Sequence, residues 1–487
     1  MSGTAIAICI ILGAPLVAML LSGVGPRPRV GEIANLCASV LVLIAACPLP
    51  FVTAAPLTYW DSYLVVDRLG AWVLLCTALV YFLASVFSVG YMRLMHHPER
   101  LPTFYALFAG FAWTMLVVPL MNNIGVFWIA IELTTLVSTF LVGYEREAES
   151  MEAAWKYIIV VSAGISLALL GTVLLYWGGS LVLGPTYEMT WQALRDVASR
   201  MNPLLLKLGF LLVLVGYGTK VGLAPMHTWL PDAHSEGPAP VSAMLSGALL
   251  NSAMLGIVRF LSITDAAHSG GIPRYALIVL GIFSVFIGAL FIVRQEGVKR
   301  VMAYSSIEHM GILALGFGFG GPLGIAGALY HMLNHSLNKS LMFFGAGNVM
   351  RRYGTKEMPA IRGVLREFPV SGVLWLAGAI GITGAPPFAT FLSEFMILRA
   401  GFADGQAWAA VAMLVLLVVI FVGFLNHFSR MYFEDRPHQP ATGPRVNTWG
   451  VIPMWLALLP LLVLGVWWPA SLMQLFGEVA RGLGVSP

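Results

Sequence analysis

Two ionisable residues of opposite charge are embedded in apolar runs of this chain. Lys220 lies in Leu204–Leu223, and Glu132 lies in Ile124–Val142. An ionisable side chain at the centre of a bilayer costs at least ~2.5–3.5 kcal/mol and is rarely kept without a role. Pro225, five residues after Lys220, ends the helix that its run would form. Opposite buried charges beside a helix break indicate a protein that moves charge.

Glu132 and Lys220 are expected to form a pair. Burial favours the neutral form of each group, whereas an opposite charge nearby favours the ionised form. We therefore predict one hydrated cavity near mid-membrane, with the charged ends within about 12 Å of each other, because coupling falls off with distance. Two structural alternatives stay open: Glu132 is a neutral acid that tightens packing, or Lys220 reaches to the interface.

A third group of polar residues occupies one helical stripe. His331, His335 and Lys339 recur every four residues and would stack on one face. Histidine titrates near neutrality, so the stripe favours a hydrated proton path with Lys339 as its central relay. Two histidines four apart can also bind a metal, but no third strong ligand is evident in the sequence. Polar packing between helices is the other alternative.

The remaining candidates are weaker. Glu394 is expected to be the acid of a second broken helix, or else a solvated group near the outer surface. Arg259 lies near a span end and is expected to reach water there. Asn251 can organise water but cannot exchange a proton. The second tier of candidates, which would link half-channels or hold the broken helix, is Ser246, Asn251, Glu308, His309, His227 and His234.

Composition defines the class of protein. Of the 487 residues, 59% are hydrophobic and only 10% are charged, against about 25% in a soluble domain. The four cysteines form no C-x-x-C pair, and neither a Walker loop nor a dinucleotide fingerprint is present. The sequence therefore predicts an all-α polytopic membrane protein without a redox centre, cofactor or metal of its own. The net charge of +4 is too small to favour a nucleic-acid partner.

About fourteen apolar runs approach the length that a bilayer requires. Loops after odd-numbered runs hold 17 of the 27 lysines and arginines, loops after even-numbered runs and the C-terminal tail hold seven, and Lys220, Arg259 and Lys339 lie inside runs. The positive-inside rule then places the odd loops in the cytoplasm and both termini outside. The expected spans are 4–22, 32–52, 69–92, 102–120, 122–143, 156–178, 203–224, 240–262, 273–294, 300–319, 322–349, 368–398, 406–432 and 449–472, followed by an amphipathic tail.

One motif occurs twice. Gly222–Asp232 and Gly384–Glu394 both read G-x-x-P-x-x-T-[WF]-L-x-[DE], with a constant offset of 162. The two copies fall in spans seven and twelve, and an odd displacement implies opposite orientation. We therefore predict two inverted five-helix repeats with helices broken near Pro225 and near Pro386 and Pro387, although Pro-rich membrane loops can produce such a motif by chance. The expected units are 1–100 (three helices), 101–265 (first repeat), 270–434 (second repeat) and 435–487 (last helix and tail).

Four motifs, in order, carry a family resemblance. Glu132 in W-I-A-I-E-L, Lys220 in K-x4-P-x-H-x-W-L-P-D-A-H, the K-R-x3-Y-S-S-I-x-H-M-G segment from Lys299, and H-x3-H-x3-K before F-x-G-A-G resemble the antiporter-like membrane subunits of respiratory complex I and its relatives. Within that family, the segments E-A-A-W-K-Y from Glu152 and A-H-S-E-G-P-A-P-V-S from Ala233 are most similar to the component F group of hydrogenase-4, membrane subunits of energy-converting [NiFe] hydrogenases.

The resemblance implies about fourteen helices with two inverted repeats, and proton transfer driven by redox chemistry in partner subunits. The expected partners are other membrane subunits and, indirectly, peripheral [NiFe] and iron–sulfur subunits, in a prokaryotic inner membrane. The chain would lack the long lateral helix of the largest complex I subunit. The residues that the resemblance assigns to proton transfer are Glu132, Lys220, His331, His335, Lys339 and Glu394.

One position departs from the family pattern. Some members have a lysine in the eighth helix where this chain has Asn251, and others have a histidine at the position aligned with Ser246. Either water bridges Lys220 to His335 or translocation is impaired. Two rival functions therefore stay open: a Mrp-type Na⁺(K⁺)/H⁺ antiporter subunit, and a scaffold that anchors a complex without moving ions.

Overall fold

The computed structural model describes residues 3–24, 28–94, 98–268, 271–434 and 441–484. Two of the loop arginines, Arg27 and Arg436, and both chain ends lie outside these ranges.

Long apolar runs become helices because a helix satisfies its own backbone hydrogen bonds in a medium without water. The helices are α1 Gly3–Val24, α2 Pro28–Ala46, α3 Leu49–Val52, α4 Arg68–Met92, α5 Leu101–Val117, α6 Ile124–Val142, α7 Ala148–Leu183, α8 Trp191–Val197, α9 Pro203–Val221, α10 Trp229–Glu236, α11 Ala239–Met244, α12 Leu250–Ala266, α13 Ile272–Arg294, α14 Val298–Phe319, α15 Gly321–Tyr353, α16 Val364–Glu367, α17 Ser371–Ile382, α18 Ala389–Ala403, α19 Ala407–Phe433, α20 Thr448–Val466 and α21 Ala470–Gly482. A π-helical turn, Leu245–Leu249, joins α11 to α12.

The predicted polytopic helical fold is confirmed. Among the described residues, 11 helical segments are long and apolar enough to cross a membrane. Adding α14, α15 and the pair α17–α18 gives the fourteen segments that the sequence predicts. Helices α14 and α15 are long enough to cross but are less apolar because they carry the polar candidates, whereas α17 and α18, of 12 and 15 residues, are each too short to cross alone.

Some details differ from the sequence prediction. A short antiparallel hairpin, β1 Leu57–Tyr59 with β2 Leu64–Val66, connects α3 to α4. Helix α7 extends over 36 residues, well beyond the run 156–178, because its polar first turns also satisfy helical hydrogen bonding. The C-terminal tail is a helix, α21, that packs against α4 and α15.

Both predicted helix breaks are present. Helix α9 ends at Val221, Gly222 takes the left-handed conformation at φ +80°, and α10 begins at Trp229. Helix α17 ends at Ile382, Gly384 has φ +66°, and α18 begins at Ala389. Pro225 in the first break and Pro386 and Pro387 in the second are exposed, whereas the helices that follow, α10 and α18, carry buried polar side chains.

Helices α14 and α15 form the centre of the molecule. They pack on each other and are surrounded by α10, α13, α18 and α20. Nearly every residue of both helices is buried. A helix that is shielded from lipid on all sides can carry ionisable residues at membrane depth, provided that these residues find partners in the bundle.

Candidate functional site

Lys220 lies in the last turn of α9 and is fully buried. Its Nζ donates hydrogen bonds of 2.8 Å to Thr135 Oγ1 on α6 and of 2.8 Å to Tyr157 Oη on α7. The Tyr157 hydroxyl is also 2.8 Å from Ser138 Oγ. Lys220 therefore does not reach to the interface but sits among hydroxyl groups that can accept from it and rearrange around it.

Glu132 is linked to this cluster through Thr135. The Thr135 hydroxyl is 3.5 Å from Glu132 Oε2, and Ser162 Oγ donates to Glu132 Oε1 at 2.6 Å. The two charged ends are therefore two hydrogen bonds apart, within the expected limit of about 12 Å, and the shared hydrated cavity stays a prediction. Glu132 itself is partly exposed on the side of the chain.

Lys339 occupies the equivalent chemical position in the second cluster. It is fully buried on α15, and its Nζ donates to Ser305 Oγ at 2.8 Å and to the Met302 carbonyl at 3.2 Å on α14. Ser305 Oγ in turn lies 3.3 Å from Glu308 Oε2. A buried lysine thus again reaches a buried carboxylate through one hydroxyl group.

The polar chain continues from Glu308 by way of histidines. Glu308 Oε2 is 3.7 Å from Nε2 of His309, and His309 Nδ1 is 2.9 Å from His331 Nε2. His331 Nδ1 lies 2.9 Å from Ser393 Oγ on α18. These contacts therefore alternate between α14 and α15, whereas the sequence analysis expects a stripe along α15 alone.

His335 lies beside this path. Its Nε2 faces the Ser246 carbonyl at 3.1 Å, and its ring centroid is 5.5 Å from that of His309. The carbonyl is available because Ser246 sits in the π-helical turn, where the regular hydrogen-bond pattern shifts. The Ser246 hydroxyl is 2.7 Å from that of Ser306 on α14.

Glu394 completes the cluster from the second broken helix. It is only 4% exposed, which excludes the solvated alternative, and its Oε1 has no hydrogen-bond partner among the described residues. Ligand atoms of His309, His331 and Glu394 lie within 4.8 Å of one another. This group contains His331 but not His335, so it is not the pair four residues apart that the sequence suggested as a metal site. The 2.9 Å separation of the His309 and His331 nitrogens is that of a shared hydrogen bond.

Asn251 and His234 lie between the two lysine clusters. Asn251 Nδ2 donates to Ser336 Oγ at 3.0 Å and to the Gly247 carbonyl at 3.2 Å, so it ties α12 to α15. His234, on α10, is fully buried, and neither ring nitrogen has a hydrogen-bond partner in the part of the chain that the structure describes. The His234 ring is 6.4 Å from Trp229, which stacks on Tyr157 at 4.7 Å.

The structure also places His227 and Arg259. His227 is half-buried in the break before α10, outside both lysine clusters, and its ring lies 6.4 Å from that of Tyr304. Arg259 is 6% exposed and forms an ion pair of 2.7 Å with Asp67, the N-cap of α4.

Sequence reasoning missed the hydroxyl groups of these clusters. Thr135, Tyr157 and Ser305 contact the lysines directly, and Ser162 and Ser393 contact the acid and the histidine. Most serines and threonines in these helices bond back to the carbonyl three or four residues earlier, so their types alone carry no signal. One pattern could have identified Thr135 and Ser305. Each lies three residues, about one helical turn, from a buried or embedded acid, in Glu132-x-x-Thr135 and in Ser305-x-x-Glu308.

Comparison with known proteins supports a family assignment. Hydrogenase-4 component F homolog from Methylacidiphilum infernorum is 34% identical over 468 residues, which cover 95% of this chain and 96% of that relative. Hydrogenase-4 component B from Escherichia coli is 29% identical over 401 residues, and the match spans 57% of its length. NADH-quinone oxidoreductase subunit N from Desulforudis audaxviator is 28% identical over 421 residues, covering 84% of this chain and 81% of the relative.

Two solved structures share the fold. A chain of the membrane-bound sulfane sulfur reductase, an archaeal respiratory membrane complex, superposes with a TM-score of 0.87 at 23% identity and covers 99% of this chain and 98% of its own. A chain of the Mrp complex from Dietzia sp. gives a TM-score of 0.85 at 20% identity, with the same coverage. The profile of the family described as NADH:quinone oxidoreductase/Mrp antiporter matches residues 121–420, and the chain belongs to this family of antiporter-like membrane subunits.

Proposed function

We propose that this chain translocates protons as a membrane subunit of a complex I-related hydrogenase or oxidoreductase complex. The observation that carries the proposal is the series of exchangeable groups in the centre of the bundle, from Lys339 through Ser305 and Glu308 to His309 and His331. Its widest step is the 3.7 Å between Glu308 and His309, which is longer than a hydrogen bond. Each of these groups can bind or release a proton, or pass one by reorienting a hydroxyl. Ionisable groups buried at membrane depth are energetically costly, so they are rarely kept unless they serve such a path.

Protons fit this site better than Na⁺ or K⁺. The central groups are lysine and histidine nitrogens, which bind protons, whereas hard cations prefer cages of oxygen ligands. A proton-specific path predicts uptake that is independent of Na⁺ and K⁺. The Mrp-type alternative predicts that uptake requires one of these ions.

His234 is proposed as the link between the two halves. The side-chain amide of Asn251 cannot exchange a proton, and its hydrogen bonds serve packing between α12 and α15. His234 lies between two sets of aromatic residues. Trp229 and Tyr157 adjoin Lys220, and the ring of Phe343, on α15, is 5.2 Å from the His234 ring. Its two free nitrogens can receive and pass a proton through water on either side.

The neighbours of this subunit are also part of the proposal. Glu132 is partly exposed at the side of the bundle, and a carboxylate facing lipid is unfavourable. We infer that a neighbouring membrane subunit covers this face of α6 and α7 and exchanges protons with Glu132. The redox chemistry that drives the movement would reside in peripheral [NiFe] or iron–sulfur subunits, with the assembly in a prokaryotic inner membrane.

The two halves, residues 101–265 and 270–434, are proposed to be inverted copies, preceded by 1–100 and followed by 435–487. Both helix breaks contain a glycine in the left-handed conformation, Gly222 and Gly384. The carbonyl three residues before each glycine accepts a side-chain hydrogen bond from the helix that follows: Trp229 donates to the Thr219 carbonyl, and Thr390 donates to the Gly381 carbonyl. These acceptors differ by the same offset of 162 as the motif.

Site-directed labelling tests the inversion. Single cysteines replacing Ser199 and Glu357, in a background without the native cysteines, mark equivalent loops of the two halves. A membrane-impermeant maleimide should label Ser199→Cys only in right-side-out vesicles and Glu357→Cys only in inverted vesicles. Labelling of both from the same side would refute the inverted arrangement and the outside location of the termini with it.

Proton uptake tests the function itself. The intact complex is placed in vesicles, and uptake is recorded together with redox turnover. Lys339→Ala should abolish uptake while the complex still assembles, and uptake by the unaltered complex should not depend on Na⁺ or K⁺. Full uptake by the alanine variant would show that Lys339 serves packing, and loss of assembly in both Lys339→Ala and Lys339→Arg would favour the scaffold alternative.

A further inference from the structure

A cavity of about 490 Å³ opens at the end of the bundle opposite the cation-rich loops. It lies between the start of α4, helix α8, the C-terminal part of α12 and helix α21. It is separate from the lysine and histidine clusters. Its basic lining residues, one from each of these four elements, are Arg68, Arg195, Arg259 and Arg481.

The cavity carries an excess of positive charge. Its only carboxylates among the described residues are Asp67 and Glu478, so four arginines face two acids. Arg259 holds Asp67 in a two-pronged ion pair of 2.7 and 3.0 Å, and Arg68 pairs with Glu478 at 2.8 Å. Arg481 shares Glu478 with Arg68, at 3.9 Å, and Arg195 donates to the carbonyl of Gly482. Four guanidinium charges therefore share two carboxylates among the described residues that line the cavity.

Arg259 has unused hydrogen-bonding capacity in this cavity. Its side chain is only 6% exposed, and its guanidinium carbon lies 5.4 Å from the centroid of the Trp191 ring. Its Nε has no hydrogen-bond partner among the residues that the structure describes. The Nε of Arg68 is in the same state. Buried donors without partners are unfavourable, whereas an anion in the cavity would satisfy them.

The position of these arginines is unusual for their side of the membrane. Only seven of the 27 lysines and arginines lie in the loops and tail on this face. Three of those seven, together with Arg259 from within a span, meet in this one cavity. The positive-inside tendency disfavours such a concentration, so a general topological signal does not explain it.

We propose that this cavity binds a phosphate-bearing anion, supplied by the headgroup of an anionic phospholipid. Guanidinium groups present forked donors that match phosphate oxygens in pairs. Helix α21 buries Leu475, Phe476 and Val479 against the bundle and exposes Met473, as a helix lying at the membrane surface would. Trp467, 64% exposed just before α21, is the residue type that favours headgroup depth. This inference does not depend on the proposed proton path.

Binding measurements on the full-length chain test the proposal. The delipidated protein in uncharged detergent is titrated with phosphatidylglycerol, with phosphatidylcholine and with inorganic phosphate, and bound ligand is counted by native mass spectrometry. Arg195→Gln and Arg481→Gln each remove one arginine without touching the Arg259–Asp67 pair. Arg399→Gln, an exposed arginine on the same face but outside the cavity, is the matched control.

We expect phosphatidylglycerol to bind and each cavity variant to weaken it by about ten-fold, as loss of a charge-assisted hydrogen bond does, with no change in the control. Competition by inorganic phosphate, without binding of phosphatidylcholine, would support the lipid source. Arginine-dependent binding of inorganic phosphate without any lipid would keep the site but overturn the lipid source. Equal binding by all variants and the control would overturn the site itself.

Discussion

Lys220 and Glu132 do not touch, because the hydroxyl group of Thr135 lies between them, 2.8 Å from the amine and 3.5 Å from the carboxylate. The same order recurs in the second cluster, where Ser305 separates Lys339 from Glu308. A direct ion pair in a low-dielectric bundle would hold both charges in place. A hydroxyl between them can donate to the carboxylate or accept from the amine, so a small rotation changes the coupling between the two groups.

Replacement of the intervening hydroxyl should therefore impair transfer. Thr135→Val keeps the shape of the side chain but removes the group that joins Lys220 to Glu132, so proton uptake should fall by about 100-fold or more, the lower end of the range typical of positioned proton-transfer groups. Thr135→Ser should retain most uptake. Thr139→Val removes a hydroxyl one turn further along α6 that bonds only to the Thr135 carbonyl, and it should behave as the unaltered complex. Equal uptake by Thr135→Val and Thr139→Val would remove Thr135 from the path.

Glu308 is expected to be essential although it looked secondary in the sequence. Glu308→Gln preserves size and can still hydrogen-bond to Ser305, but an amide cannot exchange a proton, so uptake should be lost while assembly is retained. Glu296→Gln, an exposed acid in the loop before α14, is the control. Uptake and redox turnover are measured on the same vesicles. Normal uptake with Glu308→Gln would place the path elsewhere.

Substitution of Lys339 in the second cluster tests whether the site needs a group that releases a proton or only a positive charge. Lys339→Arg keeps a positive charge near Ser305, but a guanidinium does not release its proton in this range, so uptake should be as low as with alanine. Lys207→Ala, a partly exposed lysine early in α9, serves as the control. Retained uptake with arginine would mean that the site needs only a fixed charge.

Much of this arrangement follows from the sequence, for identifiable reasons. Glu132, Lys220 and Lys339 stand out because an ionisable group in an apolar run is costly, and the breaks at Gly222 and Gly384 follow from a repeated Gly and Pro pattern. The polar contacts between α14 and α15 could not be predicted, because they depend on which faces of these two buried helices meet. Helices that are shielded on every side have no apolar stripe to reveal their orientation.

The position of Glu394 was also beyond sequence reasoning. Its motif gives the acid but not its neighbours, since the contact with His309 and His331 depends on how α18 packs against α14 and α15. The partial exposure of Glu132 was missed for the related reason that a single sequence does not show which face of α6 packs against the other helices.

Stability should depend on pH through a loop acid outside the spans. Burial raises the pKa of the Glu145 carboxyl in the folded protein, although Lys299 and Arg351 oppose the shift. The folded state thus binds the proton more tightly than the unfolded state does. The contribution of Glu145 to the free energy of unfolding is fully present below the pKa of this group in the unfolded chain. That contribution is lost as the pH rises through the pKa of the group in the folded protein. Glu145→Gln should flatten this loss, so the thermal midpoint of the variant should gain on the unaltered protein as pH rises above about 4.5. Parallel midpoint–pH curves for the two proteins would contradict this.

Gly384 is predicted to matter because it makes room for a functional carboxylate. A methyl group added at this position would collide with the Glu394 carboxylate, and the backbone at φ +66° already disfavours any side chain. Gly384→Ala should therefore combine a backbone cost of roughly 1–2 kcal/mol with displacement of Glu394 from His309 and His331. Gly405→Ala separates the two effects, because Gly405 has φ +74° but nothing within 4 Å of an added Cβ. Both variants should lower the thermal midpoint to a similar degree, while only Gly384→Ala should lower proton uptake per redox turnover. If both variants lost uptake equally, strain in the turns would account for the effect, and the fit between Gly384 and Glu394 would have no part in transfer.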